Sequence, residues 1–414
     1  MNQKKLKILV AGLNYAPEPT GNAPYTASLA EGLVAAGHEV HIITGYPHYP
    51  EWQLKAGYRG WSRKEVINGV SVTRLRHHVP KSLSNLSRMH MELSFGLRLV
   101  FARWSSPDAV LVVSPALFSS ALAILRIRMS PRRPAVAIWV QDIYSRGIEE
   151  TGSGSGVLTR VFTAVESLVL RSADGVVAIH DRFKKHMVGS LGVPSKDVKV
   201  IRNWTHLPEA PKTGKEEMRF QLGWSREDIV VLHAGNMGKK QGLENVIEAA
   251  RIAETRGSAV RFVLMGDGNQ RQRLERIARG ISRISFVDAL PNSDFQRALS
   301  AADVLLVNEL PGVKDMAVPS KLTSYFNAGV PVIAATDEDS VTAYEIQSSG
   351  GGIRVDADVP LALVETAEAL AREPSIAARL AESALRFRQE TLSEAFAVGH
   401  YDEFITSLAT SRGR

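Results

Sequence analysis

Short apolar segments alternate with helical segments along the chain, and this alternation constrains the fold more than any other feature of the sequence. An apolar run over Lys7–Gly12 is followed by helical spacing over Tyr25–Ala36 and by a second apolar run over Val40–Thr44. Short apolar runs bounded by turn residues are typical of strands buried in a parallel sheet. Strand, helix and strand in this order form a βαβ unit, so the sequence predicts an α/β fold of doubly wound parallel sheets.

The same pattern begins again near the middle of the chain, which predicts a second domain. Asp228–Ala234 has the composition of a buried strand, Gly235–Gly242 is a loop rich in glycine and lysine, and Leu243–Ala253 has helical spacing. A chain of 414 residues is also longer than one hydrophobic core usually serves. We therefore expect the polar, proline-containing segment from Arg202 to Lys215 to link two domains.

The composition argues against several classes of chemistry. The chain has no cysteine, which excludes disulfides, thiolate catalysis and cysteine-bearing metal sites, and it has neither an HExxH motif nor a close group of histidines and carboxylates. We therefore expect no metal. The formal net charge of +7 favours an anionic partner, but no known nucleic-acid-binding motif accompanies it, so we expect no nucleic acid.

Two helical segments in the first half are both apolar and basic. The segment Leu83–Trp104 has so many apolar positions that it is either nearly buried or partly inserted into a membrane surface. A second helix begins at Ala116 and ends in the basic run Arg126–Arg133. This run is either a solvated helix end or a contact with the anionic headgroups of a membrane surface.

The sequence predicts a cytoplasmic protein. The first residues contain no apolar signal segment, and no apolar run reaches the ~18 residues that span a bilayer. Peripheral attachment to the inner face of the cytoplasmic membrane is the alternative that the two apolar, basic helices leave open.

Glycines and acidic residues follow several predicted strands. Open α/β sheets bind ligands at the carboxyl ends of their strands, so these residues are candidates for a site. Gly21 follows the first strand and serves either a turn or the close approach of a ligand, and Asp142 is either a site residue or a helix cap. Gly266–Gly268 form a tight turn, and the loop over residues 308–318 carries Glu309 and Asp315.

The stretch Val318–Ala334 predicts a loop, then a helix that ends at a glycine, and then a buried strand. Pro319 suits the first turn of the helix, and Gly329 suits the left-handed position after its end. Free N–H groups at the helix start, with Ser320 and Lys321 beside them, form a good anion site. An ordinary loop–helix–strand unit is the alternative reading of this stretch alone.

Four segments together resemble the retaining glycosyltransferase family four, which has the GT-B fold. The segments are NYAPEPTGNAPYTASLAEGLVAAGHEVHIIT, HAGNMGKKQGLENVIEAA, MGDG and VPSKLTSYFNAGVPVIA, and the resemblance covers nearly the whole chain. It is greatest to the branch of colanic-acid and other bacterial polysaccharide transferases. The resemblance implies two Rossmann-like domains that face each other across a cleft. These are an acceptor-side domain over residues 1–205 and a nucleotide-sugar-binding domain over residues 206–390. The resemblance further implies a helix over residues 391–414 that crosses back to the first domain.

The resemblance also implies which residues form the site. The candidate donor-binding residues are Gly21, Asn22, Gly235, Asn236, Lys239, Lys240, Gly266, Gly268, Leu290, Pro319, Ser320, Leu322 and Ser324. The candidate catalytic residues are Asp142, Asp315 and Lys321. No cofactor is expected, because the nucleotide sugar is itself the donor substrate.

Three positions depart from the family pattern. The family's pair of glutamates, separated by seven residues, falls on Met316 and Ser324, and Gln241 stands before Gly242 where lysine is usual. The ribose contact and the catalytic carboxylate must then come from other residues, and Asp315, next to Met316, is the substitute we predict for the carboxylate.

The chemistry that the resemblance implies suits these residues. Breaking the sugar–diphosphate bond develops negative charge on the leaving phosphate, which lysines and helix-start N–H groups stabilise. A carboxylate such as Asp315 or Asp142 stabilises the positive sugar or guides the proton of the acceptor hydroxyl. We expect a UDP- or GDP-sugar donor and a lipid-linked saccharide acceptor in bacterial surface polysaccharide synthesis. The alternatives are a soluble small-molecule acceptor and a nucleotide-sugar-binding protein without catalysis.

Overall fold

The computed structural model describes residues 5–19, 21–49, 51–80, 85–145, 156–205, 214–313 and 320–412. It divides into two compact units. The first unit combines Met1–His206 with Glu394–Arg414, and the second unit is Leu207–Ser393.

The first unit contains, within its described residues, an eight-stranded sheet. Its strands are β1 (Lys7–Ala11), β2 (Glu39–Gly45), β3 (Ser62–Ile67), β4 (Val70–Leu75), β5 (Ala109–Ser114), β6 (Ala135–Val140), β7 (Gly175–Ala178) and β8 (Val198–Val200). They lie in the order β3-β4-β2-β1-β5-β6-β7-β8, with β3 antiparallel to β4 and the other neighbours parallel. The sheet is therefore parallel apart from one edge strand.

The second unit contains, in the part that the structure describes, a six-stranded parallel sheet. Its strands are β9 (Ile229–Ala234), β10 (Val260–Met265), β11 (Ile284–Val287), β12 (Val304–Asn308), β13 (Val332–Ala335) and β14 (Gly352–Val355). They lie in the order β11-β10-β9-β12-β13-β14. The direction in which successive strands are added reverses between β9 and β12. A reversal of this kind is the point at which open α/β sheets bind ligands, outside the carboxyl ends of the strands.

Helices connect the strands in both units. Those described are α1 (Ala23–Ala35), α2 (Asn85–Phe101), α3 (Leu117–Met129), α4 (Gly156–Arg171), α5 (Asp181–Gly189), α6 (Lys215–Gln221), α7 (Glu244–Thr255), α8 (Arg271–Ile277), α9 (Asn292–Ala301), α10 (Ser320–Ala328), α11 (Val341–Ser349), α12 (Pro360–Arg372), α13 (Pro374–Thr391) and α14 (Glu394–Arg412). Short 3-10 turns span Ser195–Asp197 and Lys239–Gln241.

Both faces of the second sheet are covered. Successive side chains of a strand point to opposite faces, and here both sets are apolar and buried. Val231 and Phe262 belong to the core on one face, whereas Val230, Leu232 and Val263 belong to the core on the other. This is why these strands read in the sequence as continuous apolar runs instead of alternating ones.

The C-terminal helix α14 packs within the first unit. His38 Nε2 lies 2.7 Å from Asp402 Oδ1, and the backbone N–H of Leu6 donates to His38 Nδ1 at 3.2 Å. Because Nδ1 accepts a hydrogen bond, the ring must carry a proton on Nε2, which donates to the carboxylate of Asp402. The neighbouring Tyr401 is buried against Trp139, with ring centroids 5.0 Å apart. A residue near the start of the chain and one near its end therefore share a buried hydrogen bond.

The described ranges lack two kinds of feature. No helix in these ranges is both long enough and apolar enough to cross a membrane. The same ranges contain no group of three or more His, Cys, Asp or Glu side chains placed to hold a metal ion.

Candidate functional site

Lys321 reaches the switch point of the second sheet from the first turn of α10. Tyr325 fixes this helix in place, because its buried hydroxyl accepts the N–H of Ala234, the last residue of β9, at 2.8 Å. One turn earlier, Lys321 Nζ lies 3.4 Å from Nε2 of His233. A Cβ atom added to Gly235 would lie 3.9 Å from Lys321 Cε. The lysine side chain therefore lies directly beside the first residue after β9.

Burial alters the protonation of Lys321 and of its neighbour. Burial and the nearby ammonium hold the pKa of His233 well below its ordinary value. The ring is therefore neutral, and its Nε2 accepts from Lys321 while Nδ1 carries the proton. Burial also lowers the pKa of Lys321 to about 8, which the negative charge of Glu309 partly opposes. At neutral pH Lys321 is mostly charged but poorly solvated, a state that an anionic ligand would stabilise.

Glu309 places a carboxylate at the carboxyl end of β12. Thr336 Oγ1 donates to Glu309 Oε2 at 2.5 Å, and Thr342 Oγ1 donates to Oε1 at 2.7 Å. Burial raises the pKa of Glu309, whereas the two hydroxyls and the charge of Lys321 act in the opposite direction. Each carboxylate oxygen has a fixed donor, so the side chain holds its charge in one position.

The loop that follows β9, Gly235–Gly242, is held by hydrogen bonds. The N–H of Gly238 donates to Gln241 Oε1 at 3.0 Å, and Asn308 Nδ2 donates to the carbonyl oxygens of Gln241 and Gly242 at 2.8 and 3.0 Å. Gln241, one of the departures from the family pattern, therefore closes the turn of its own loop. Lys239 and Lys240 are exposed on this turn.

The turn Gly266–Gly268 packs against the same loop. The N–H of Met237 donates to the carbonyl oxygen of Asp267 at 2.8 Å. Gly266 and Gly268 have φ values of +125° and +154°, which glycine adopts readily and other residues rarely do. A Cβ atom on Gly268 would lie 2.5 Å from the carbonyl oxygen of Met237, and one on Gly266 would overlap the carbonyl oxygen of Gly235. Two strand ends thus meet with no room for a side chain between them.

A cavity of about 530 Å³ lies beside this turn. Its lining residues are Asp267, Gly268, Asn269, Arg271, Gln272 and Glu275. Arg271 donates to the carbonyl oxygen of Gly266 at 2.7 Å and forms ion pairs with Glu275 and Asp288 at 2.8 and 2.6 Å. These contacts connect the ends of β10 and β11 at the edge of the cavity.

The other residues predicted for the second unit have different environments. Asn236 is exposed, Ser324 is partly buried on α10, and Leu322 is buried in the core. Leu290 is partly buried and packs against the same core. Ser320 begins α10, whereas Asp315 and Pro319 lie outside the described residues.

Three predicted residues belong to the first unit. Gly21 has φ +69°, so it makes the left-handed turn that precedes α1. Asn22 occupies the cap position of that helix, and its carbonyl oxygen accepts the Thr26 N–H at 2.9 Å. Asp142 is partly buried, two residues after the end of β6. The roles of all three in donor binding or catalysis stay predictions.

The sequence did not reveal the two partners of Lys321. His233 stands within an apolar strand, where a histidine gives no signal beyond its own presence. The sequence marks Glu309 as an acidic residue after a strand, but not as the carboxylate whose charge acts on Lys321. Only folding brings positions 233, 309 and 321 together at the carboxyl ends of the strands of the second sheet.

Comparison with known proteins assigns the chain to a family. A model described as "Glycosyl transferase 4-like domain" matches residues 20–204, and one described as "Glycosyl transferases group 1" matches residues 214–387. An Escherichia coli (strain K12) protein named as a colanic acid biosynthesis glycosyl transferase, WcaI, is 33% identical over 337 residues, which are 78% of this chain and 82% of WcaI. The chain belongs to glycosyltransferase family four. The predicted family is confirmed, and with it a retaining glycosyltransferase.

Solved structures of low sequence identity confirm the GT-B fold of this family four member. Sucrose-phosphate synthase from Thermosynechococcus elongatus matches with a TM-score of 0.73 at 15% identity, covering 98% of this chain and 100% of that one. HepE from Anabaena, in complex with UDP, matches with a TM-score of 0.72 at 14% identity, covering 97% and 100%. The prediction of two Rossmann-like, doubly wound α/β domains is therefore confirmed.

Proposed function

We propose that the protein transfers a hexosyl group, with retention, from a UDP- or GDP-sugar to a hydroxyl of a lipid-linked saccharide. The product belongs to a bacterial surface polysaccharide, and the reaction takes place on the cytoplasmic side of the membrane. The observation that carries the proposal is Lys321, a poorly solvated ammonium at the switch point of the second sheet in a chain of glycosyltransferase family four.

The relatives support the donor and the product class. HepE, which shares the fold, has been solved in complex with UDP and also with UDP-glucose. The name of WcaI refers to the biosynthesis of colanic acid, a polysaccharide. A nucleotide-diphosphate group also suits the site physically, because its negative charge would restore the solvation that burial removes from Lys321.

The proposed reaction breaks the bond between the sugar carbon and the diphosphate oxygen, and the electron pair stays on that oxygen. Lys321, the exposed Lys239 and Lys240, and the N–H groups of the first turn of α10 stabilise the charge that develops there. The acceptor oxygen bonds to the same face of the sugar carbon. The acceptor proton passes to the departing phosphate or to one of the predicted carboxylates, Asp142 and Asp315. Glu309 favours the charged form of Lys321 throughout.

Thermal unfolding in the presence of UDP-, GDP-, ADP- and dTDP-sugars tests the donor. A donor at 100 times its Kd stabilises the native state by about 2.7 kcal/mol, so we expect one class to raise the Tm by several degrees. The shift should disappear in Lys321→Met, which keeps the apolar stem and removes the charge. Lys196→Ala, at an exposed lysine of the first unit, is the matched control and should keep it.

Transfer is tested separately from binding. A radiolabelled donor of the class that binds, incubated with bacterial membranes, should label a lipid-extractable saccharide with wild-type protein and not with Lys321→Met. Labelling of a water-soluble acceptor would replace the lipid-linked acceptor in the proposal. Donor binding without transfer or hydrolysis would instead support a nucleotide-sugar-binding protein, and a full shift in Lys321→Met would remove the lysine from the site.

A further inference from the structure

Three helices of the first unit lie side by side with their carboxyl ends together. A Cβ atom on Gly96 of α2 would lie 2.9 Å from Ser119 Cα of α3, so these two helices are in close contact. Farther along, Arg126 of α3 donates to the carbonyl oxygens of Leu99, Val100 and Ala102 at the end of α2, at 2.8, 2.7 and 2.6 Å. Arg128 donates to the carbonyl oxygen of Ser172, just after the end of α4, at 3.2 Å. The three helices therefore run in the same direction and form one layer.

The outward side of this layer is apolar. On α2 the exposed fractions are 71% for Leu86, 53% for Leu97 and 86% for Phe101. Among the side chains of α3 and α4 that the structure describes, the exposed large apolar ones are Leu125, Met129, Val161 and Leu168. A helix on the surface of a water-soluble domain normally turns its polar side outward. Seven exposed apolar side chains on three adjacent helices indicate that this layer meets something other than water.

A tryptophan extends the same surface. Trp61, which is 76% exposed, lies under the guanidinium of Arg98 on α2, with 4.3 Å between the guanidinium carbon and the ring centroid. Arg98 also donates to the carbonyl oxygen of Trp61 at 3.4 Å. Tryptophan and arginine side chains are both suited to the boundary between lipid and water, since each combines an apolar body with a polar group.

All the exposed charges on these helices are positive. The acidic residues of α2, α3 and α4 are Glu92 and Glu166, and both are buried. Glu92 accepts the N–H of Phe118 at 3.0 Å, and Glu166 accepts the N–H of Tyr144 at 2.7 Å. The exposed charged residues on the helices and just beyond their carboxyl ends are arginines: Arg103, Arg128, Arg132, Arg133, Arg160 and Arg171.

We propose that the outward side of α2, α3 and α4, with Trp61, docks on a bilayer that contains anionic phospholipid. Apolar side chains enter the boundary between headgroups and acyl chains while the arginines bind lipid phosphates. A second copy of the chain fits this surface poorly, because the two-fold contact of a homodimer would place one set of arginines against the other. The proposal adds a partner to the proposed function and does not depend on which donor is bound.

Vesicle co-sedimentation of the full chain tests the docking surface. We expect wild-type protein to bind vesicles of phosphatidylglycerol and phosphatidylcholine in equal parts, and to bind pure phosphatidylcholine at least about tenfold more weakly. Raising the salt from 0.05 to about 0.5 M should weaken binding to the anionic vesicles severalfold, since the arginine contacts are screened.

Variants separate the apolar and the basic contributions. Phe101→Ser combined with Met129→Ser should weaken binding to anionic vesicles at least about fivefold, because two exposed apolar side chains can no longer enter the bilayer. Arg103→Gln combined with Arg132→Gln should reduce the preference for anionic vesicles. The matched control is Phe220→Ser in the second unit, which removes a phenylalanine that is also 86% exposed and should leave binding unchanged.

Three outcomes would overturn the proposal. These are no binding of wild-type protein to anionic vesicles, equal binding by the Phe101→Ser/Met129→Ser variant, and a dimer in sedimentation velocity that this variant converts to monomer. The last result would assign the surface to a second copy. The Tm shift with nucleotide sugars is measured on the same variant and should be retained, so failure of the docking surface is distinguished from failure of the donor site.

Discussion

At the scale of single residues, the protonation of Lys321 makes the charge of the site depend on pH. Its pKa is lowered to about 8 by burial, and Glu309 limits that decrease. A bound diphosphate would raise the same pKa, because negative charge favours the ammonium. Binding of a nucleotide sugar should therefore take up a proton at pH values above about 8 and should not do so at pH 7.

The expected pH dependence follows from that linkage. Donor affinity should be nearly constant from pH 6.5 to 7.5, and should then fall by a factor approaching about ten per pH unit above pH 8, as the free protein loses the Lys321 proton. Isothermal titration of the donor across this range measures the change. In Lys321→Arg the decline near pH 8 should vanish, because the guanidinium stays charged. A decline that persists in Lys321→Arg would assign the titration to another group.

At the scale of secondary-structure elements, the apolar runs located most strands. The apolar run Lys7–Gly12 predicts a strand, and β1 spans Lys7–Ala11. The run Asp228–Ala234 predicts a second strand, and β9 spans Ile229–Ala234. The long helix predicted over residues 83–104 is α2, Asn85–Phe101. Both faces of these strands are covered, so their sequences are apolar throughout and their ends are marked by turn residues.

Strand β3 gave no such signal. It spans Ser62–Ile67 and pairs antiparallel with β4 at the edge of the sheet. Its side chains are exposed or only partly buried, and Val66 is 73% exposed. An edge strand that buries no face needs no apolar pattern. Only its pairing with β4 in the folded structure identifies it as a strand.

Substitution of Gly266 tests the contact between the ends of β9 and β10. Gly266→Ala has two costs. Its φ is unfavourable for alanine, which costs about 1–2 kcal/mol, and the overlap of Cβ with the Gly235 carbonyl oxygen forces a backbone shift that costs about 1–3 kcal/mol. We therefore expect Gly266→Ala to lower the free energy of unfolding by about 2–5 kcal/mol and to weaken donor binding. Urea unfolding and the donor-dependent Tm shift measure the two effects.

Gly280→Ala is the matched control for this substitution. Gly280 has φ +84°, but a Cβ atom there would meet nothing within 4 Å. Only the conformational cost of about 1–2 kcal/mol applies, and donor binding should be unchanged. Equal losses for the two variants would show that the turn Gly266–Gly268 is not packed against the loop after β9 as described.

At the scale of the whole molecule, the chain closes the first unit with its last helix. The hydrogen bond between His38 and Asp402 joins residues 364 positions apart, and both side chains are buried. Removing the carboxylate leaves a buried imidazole N–H without an acceptor. Such a change typically costs about 1–3 kcal/mol, and more when the lost partner is charged.

We therefore expect Asp402→Ala to lower the free energy of unfolding of the first unit by about 2–4 kcal/mol. Tryptophan fluorescence during urea unfolding is a suitable probe, because Tyr401 packs against Trp139 and Trp204 beside the hydrogen bond. Glu403→Ala, at the exposed neighbouring position, should change stability by less than about 0.5 kcal/mol. Similar effects for both variants would contradict a specific role for the buried pair.

The sequence by itself determined the α/β class, the repeated βαβ pattern and the family, because these depend on local apolar periodicity and on motifs contiguous in the chain. It also singled out Lys321 at a helix start. Only the tertiary structure decided which groups surround that lysine, since His233, Glu309 and Gly235 come from different strand ends that meet at a switch point set by strand order. The same holds for the basic, apolar layer of α2, α3 and α4. The apolar composition of α2 is compatible with burial and with membrane contact, and exposure is a property of packing that no single helix specifies.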